Sequence, residues 1–378
     1  MAFVQLRNTG GNGFDMSIYW LFFACLTLLS FVQPKGRGWF AAIAVVLIAW
    51  VGLRYQVGTD WGTYVGWVRE AENVAITTAF DGMDPAYGLV NWLGANGLGG
   101  IYFVNLLCAT LAVVPLVVFC STRKNPFLAL LVAFPYLVTV VYMNYTRQSV
   151  AIGFGMLALL SVERQRIGTF LAAVTLAALF HKSALCLFVI APALFAGNIN
   201  RSNIIKLAWI AAYGACLALI LLWEEAAPIY RQYVVRTGDQ VAAVEGKPPS
   251  AGLYSAGAVL RLAQAMVASV AFCVIAWRIK LQKAELWLWS IVSLCVLALF
   301  TLAFVRSTLA DRVGLFFIPL QLYAFATLPD VAPRRLSVFV QLAIVACLAA
   351  AFGVWLIYGS DTAHWLPYQS IIMQVFSQ

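Results

Sequence analysis

Apolar residues run through this chain in twelve stretches, at approximately 17–32, 39–53, 101–120, 127–143, 147–162, 167–181, 183–197, 204–223, 257–278, 285–305, 311–328 and 336–358. Each approaches the length of a membrane span, since about 20 residues at 1.5 Å rise cross a bilayer core. None shows the alternation of a barrel strand. The shorter runs are expected to shelter against neighbours or to extend into adjoining residues. Two joints nearly fuse, at 143–147 and 181–183. No solenoid repeat is visible. The pattern predicts an all-α polytopic membrane protein of about 12 transmembrane helices. Residues 1–378 form a single transmembrane domain in this reading. Met1 to Met16 holds one Arg and a Gly/Asn-rich stretch, which does not read as a cleavable signal peptide.

The polar residues between the runs give the topology. Alternate short loops hold Lys35/Arg37, Arg123/Lys124, Arg164/Arg166, Arg201/Lys206, Arg278/Lys280/Lys283 and Arg334/Arg335. They carry 13 of the 24 basic residues. Cytoplasmic loops are enriched in Lys and Arg, so these loops face the cytoplasm and both termini lie outside. The expected location is a bacterial inner membrane. The outer side then holds two long loops, residues 54–100 and 224–256. The first has aromatic and apolar residues at helical spacing (Trp61, Tyr64, Trp67, Val68), which predicts interfacial helices. The second contains Lys247-Pro248-Pro249, a helix breaker suited to a mobile lid.

Composition agrees with lipid as the main solvent. Of 378 residues 63% are hydrophobic and 10% charged, against about 25% charged in a soluble domain. The net charge of +9 therefore reads as topology, not as nucleic-acid binding. The eight cysteines lie almost entirely inside apolar runs with no CxxC, so they read as small core residues.

Several charges on the outer side are not needed for topology: Arg54, Asp60, Arg147, His181, Lys182, Arg261, Arg306, Asp311 and Arg312 among them. A charge in the hydrocarbon zone costs about 2.5–3.5 kcal/mol unless it faces a polar cavity. Converging Arg side chains suit a phosphate-bearing ligand, because the planar guanidinium binds phosphate oxygens in pairs. The plainer alternatives are snorkelling to headgroups for any one Arg and a structural salt bridge for Asp311-Arg312. Arg147 stands among Asn144, Tyr145, Gln148 and Ser149, which favours a cavity. His181 ends an apolar run and titrates near neutral pH when unperturbed, as a general base requires. Asp60 follows Gly58-Thr59 and is either a second candidate base or a helix cap. There is no DxD pair, no GxSxG, no HExxH and no Walker loop, so neither a metal nor a cofactor is expected. A lipid pyrophosphate leaving group fits this set, since it needs charge stabilisation more than a protonating acid.

These residues also resemble a known family. Arg54-Tyr55-Gln56-Val57-Gly58-Thr59-Asp60-Trp61-Gly62-Thr63-Tyr64 is similar to the RYxxGTDxxxY signature of the EpsG family of bacterial exopolysaccharide polymerases, which are Wzy-type proteins. The segment 144–151, with Arg147-Gln148-Ser149-Val150-Ala151, resembles the family's RQxIA, with Val150 in the Ile place. Phe180-His181-Lys182-Ser183-Ala184-Leu185 resembles FHxSAL, and Arg312 to Phe317 resembles RxxxYF with Phe316 in the Tyr place. Pro367-Tyr368 resembles the family's PY tail. The resemblance implies a GT-C-like membrane glycosyltransferase acting on undecaprenyl-pyrophosphate-linked oligosaccharide. Such an enzyme transfers the growing glycan to another lipid-linked repeat unit at the outer face. A chain-length regulator is a candidate partner beside membrane lipids.

On this reading His181 or Asp60 is the base, with His181 preferred. Arg147, Arg312, Arg261 and Arg54 hold pyrophosphate, and Arg261 rests on its membrane depth alone. Tyr64, Gln148, Lys182, Ser183 and Asp311 contact substrate. The alternatives are an O-antigen ligase-like transferase, with the same chemistry on a different acceptor, and a polysaccharide or lipid-linked oligosaccharide transporter.

Overall fold

A computed structural model describes residues 16–77, 83–196, 200–222, 255 and 257–376. The N-terminal residues before Met16 and the second long loop, with its Lys247-Pro248-Pro249, lie outside the described residues apart from Ser255. Among the described residues the chain is helical and forms no β-strand; one isolated antiparallel bridge joins Arg54 and Ser370.

The helices are α1 (Ser17–Val32), α2 (Arg37–Gly52), α3 (Trp61–Glu70), α4 (Pro85–Ala95), α5 (Gly100–Ser121), α6 (Pro126–Ala133), α7 (Thr146–Glu163), α8 (Ile167–Phe180), α9 (Arg201–Leu222), α10 (Ala258–Arg278), α11 (Lys283–Leu302), α12 (Ser307–Gly314), α13 (Pro319–Val331), α14 (Arg334–Tyr358) and α15 (Ile371–Phe376). A π-helical stretch, Phe134–Tyr142, continues α6, and a 3-10 helix, Lys182–Phe195, follows α8. All twelve apolar runs fall on helical segments. Helices α5, α10, α11 and α14 are long and apolar enough to cross a membrane. The segment 307–331 adds a fifth candidate span, bent by 50° between Phe317 and Pro319. Shorter apolar helices make up most of the rest. The chain is thus an all-helical polytopic membrane protein. Residues 54–100 contain two helices, α3 and α4, of which α3 holds the spaced aromatics Trp61, Tyr64 and Trp67.

Lipid tails are as apolar as leucine, so helices in a membrane associate through close backbone approach and polar ties. Both devices are present. A Cβ on Gly52 would stand 2.9 Å from Leu106 Cα, and one on Gly153 would stand 2.9 Å from Leu111 O. These glycines let α2 and α7 press against α5. Helix α7 is buried over most of its length. The apolar faces of α9, α10 and α14 instead leave Trp209, Trp277 and Phe339 exposed, as lipid contact requires.

Polar ties stand at both ends: Asn125 and Gln341 donate to Ser30 O at one, and a larger set gathers at the other. The π-helical stretch frees carbonyls from the usual ladder. Trp365 Nε1 donates to one of them, Thr139 O, at 2.8 Å. Tyr19 Oη donates to Trp365 O at 2.7 Å, and Tyr368 Oη donates to Trp50 O at 2.8 Å. The segment after α14 therefore folds back over the ends of α1 and α2.

Candidate functional site

The loop leaving α2 is pinned from below and from the side. Arg54 is 1% exposed and donates to Val51 O at 2.6 Å, Asn105 Oδ1 at 3.2 Å and Thr146 Oγ1 at 3.1 Å. The returning C-terminal segment adds backbone bonds from Tyr55 N to Gln369 O, Gly58 N to His364 O and Ile371 N to Leu53 O. Gly58 has φ +99°, and a Cβ there would meet Met143 O at 2.8 Å, so glycine is required twice over. Next, Thr59 Oγ1 and Asp60 N both donate to Asn144 Oδ1, at 2.8 and 3.1 Å. Asp60 thus meets the start of α7. It occupies the N-cap position of α3 but makes no side-chain cap bond. Burial raises its pKa, opposed by the charges of Arg312 and Arg147 and by Thr59. Tyr64, one turn on, is buried, with its ring against Trp67 and Tyr87.

Arg147, at the start of α7, reaches Asp84 Oδ2 at 2.9 Å. Its guanidinium lies 4.7 Å from the Trp67 ring centre and 5.8 Å from that of Tyr87, a stacking that Arg favours. About a quarter of the side chain, 26%, remains exposed. Asp84 stands just before Pro85 at the N-terminus of α4 yet does not cap that helix with its side chain. Its other oxygen accepts from Lys182 N at 3.3 Å. One buried carboxylate therefore ties α4 to both α7 and the break after α8.

His181 is that break. Its backbone is extended (φ −158°, ψ 110°), which ends α8 and starts the 3-10 helix. Its Nδ1 lies 2.6 Å from Ser183 Oγ, and Nε2 makes no hydrogen bond to the described residues. Burial and the neighbouring Arg147, Arg312 and Lys182 hold its pKa down at about 3. Gln148, the residue after Arg147, donates Nε2 to Arg312 O at 2.7 Å, which fixes α12 against α7. Arg312 itself is exposed.

Arg261 and Asp311 form a separate locked pair beside this group. Nε and Oδ1 are 2.7 Å apart, and Nη2 and Oδ2 are 2.5 Å apart. Ser255 Oγ bridges the two, and Arg261 lies over the Tyr136 ring at 5.6 Å. Tyr145 feels the charges of Asp60, Asp311 and Arg261 together, so the pair adjoins the Asp60 side.

The structure thus brings Asp60, Arg147, His181, Lys182 and Arg312 into one electrostatic neighbourhood. Gln148 and Ser183 support that group, Arg261 and Asp311 neutralise each other next to it, and Arg54 and Tyr64 lie buried beneath it. Sequence reasoning missed Asp84, Trp67 and Tyr87 as partners of Arg147. The Asp84-Pro85 dipeptide reads as an ordinary helix start, and only the fold turns its carboxylate elsewhere. Among the described residues, no three His, Cys, Asp or Glu side chains gather as a metal-ligand group.

The sequence profile of the EpsG family matches residues 38–370, nearly the whole chain. No curated protein matches the chain, and no solved structure does.

Proposed function

The chain belongs to the EpsG family, and from that premise we propose that it is a membrane polysaccharide polymerase that transfers a glycan from a lipid pyrophosphate to a second lipid-linked repeat unit. The observation that carries this reading is the meeting of Arg147, Arg312 and Lys182 around His181 and Asp60. Three cations stand against two carboxylates, Asp60 and Asp84, and a diphosphate neutralises the net positive charge. Arg147 is already held flat between two rings and an acid, so little entropy is lost when it binds. A diphosphate is a stronger acceptor than Asp84 and competes with it for the same guanidinium.

In the reaction, the acceptor hydroxyl gives its proton to His181 Nε2 as its oxygen bonds the anomeric carbon. The bond from that carbon to the phosphate oxygen breaks, and the pyrophosphate leaves as an anion stabilised by Arg147 and Arg312. Nε2 accepts in the tautomer whose Nδ1–H donates to Ser183 Oγ, which gives up the long contact from Ser183 N to Nδ1 at 3.4 Å. Arg54 and Tyr64 act as supports under the reacting groups, and Arg261 with Asp311 flanks the acceptor side. The site faces the outer side of a bacterial inner membrane, because the basic loops stand at the other end of the bundle. The GT-C-like architecture and the undecaprenyl carrier belong to the same proposal and rest on the family resemblance.

Purified protein incubated with lipid-pyrophosphate oligosaccharide should yield a ladder of longer glycans. Arg147→Ala should abolish the ladder at an unchanged protein level. Wild-type chain lengths from that variant would remove Arg147 from the mechanism, and a wild type that makes no new glycosidic bond would sink the polymerase reading.

A further inference from the structure

We propose a second, separate anion site at the basic-loop end of the bundle, a cavity that takes a phosphate-bearing group. A cavity of about 510 Å³ opens there between α5, α7, α10, α11 and α13. A second, of about 600 Å³, shares Glu163, Arg164 and Gln282 with it. Seventeen residues of α7 separate Arg147 from Arg164, about 25 Å of helix axis at 1.5 Å per residue, so this is not the site described above.

The floor is built and rigid. Arg123 is 8% exposed, pairs with both oxygens of Glu163 at 2.9 and 2.7 Å, and lies 4.4 Å from the Phe119 ring centre. Tyr323 Oη donates to Glu285 at 2.8 Å. Both carboxylates of the cavity are therefore engaged. Lys124, Arg164 and Lys280 line the same space, are exposed, and make no side-chain ion pair or hydrogen bond among the described residues. Lys124, Arg164 and Lys280 outnumber Glu285, the one lining carboxylate bonded to a neutral hydroxyl and not to a cation, so the cavity is concave and net positive, and phosphate oxygens are its natural complement. Topology alone needs basic residues in these loops but does not need them to share a cavity. Ile279 lines the cavity and is exposed, and exposed Trp277 lies two residues before it at the end of α10, so acyl chains can lie beside a headgroup seated within. An anionic phospholipid is thus one source of the phosphate, and a soluble diphosphate is the other.

The test uses the full chain in phosphatidylcholine nanodiscs with and without phosphatidylglycerol, and, in a second arm, inorganic pyrophosphate added to the detergent-solubilised protein. The triple variant Lys124→Gln/Arg164→Gln/Lys280→Gln is compared with Arg334→Gln/Arg335→Gln, which removes exposed cations from the same end but outside the cavity. Co-purifying phosphatidylglycerol should bind the triple variant about a hundredfold more weakly and the Arg334/Arg335 variant with nearly wild-type affinity. Binding of pyrophosphate with the same dependence on the three residues, and indifference to phosphatidylglycerol, supports the site and assigns it a soluble ligand. Equal losses in both variants, or no loss in the triple variant, overturns the proposal, because the charges would then act only as a diffuse surface field. A melting temperature shared by all three proteins shows that binding, and not folding, is being read.

Discussion

At the level of single residues, His181 is held in a state unlike its working one. Its pKa sits at about 3 through burial and through three nearby cations, against about 6.5 for a free imidazole. A depressed histidine stays neutral in the folded chain while the unfolded chain takes up a proton. That contribution to stability is therefore complete above about pH 6.5 and is lost as pH falls toward 3. Binding a diphosphate cancels much of the field of Arg147, Arg312 and Lys182, so the pKa must rise in the loaded enzyme, leaving only the burial penalty. The acid limb of kcat should then lie at a higher pH than that of kcat/KM, since the first reports the loaded enzyme and the second the free one. Superimposed limbs in a pH series would remove His181 as the base. The sequence singles out His181, Arg147 and Arg312 because they stand at the ends of apolar runs, where charge is costly, and the fold brings them near one another. Asp84 was not legible, because nothing in Asp84-Pro85 separates a helix cap from a carboxylate shared by two other elements.

Among the elements, the loop from Arg54 to Asp60 owes its shape to partners far away in sequence. Its backbone is bonded to residues 364–371, and that tail is itself anchored where the π-helical stretch exposes Thr139 O. Removing the indole N–H takes a buried hydrogen bond from the Thr139 carbonyl, at a cost of about 1 kcal/mol. Trp365→Phe should therefore lower the melting temperature. It should also loosen Gly58 and Asp60, more than 300 residues away in sequence, and so weaken polymer formation. A variant that melts earlier yet polymerises at the wild-type rate would show that the tail braces the fold without bracing the site. The helices themselves were readable from apolar runs to within a few residues. The π-helical turns and the 3-10 helix after His181 were not, since their departures from 3.6 periodicity are set by tertiary partners and by Pro135 and Pro192 rather than by local pattern.

At the scale of the whole molecule, the two ends of the bundle carry opposite designs, and in the sequence only the spacing of the basic loops points to them. The basic-loop end is positive at its surface, with Arg123 and Glu163 paired beneath. The other end turns Arg54, Arg147 and Arg261 inward, against rings, carboxylates and backbone carbonyls. A bilayer separates two such ends only if Thr63 on α3 and Lys124 after α5 face different compartments. Both side chains are exposed, which makes them suitable reporters. The native cysteines lie in apolar helices, where burial or lipid keeps the thiol from forming the reactive thiolate. In intact cells a membrane-impermeant maleimide should therefore label Thr63→Cys and spare both wild type and Lys124→Cys, and permeabilisation should expose the latter. Labelling of Lys124→Cys in intact cells would invert the topology. The proposed polymerase site would then face the cytoplasm, and a reaction on exported lipid-linked glycan could not occur there.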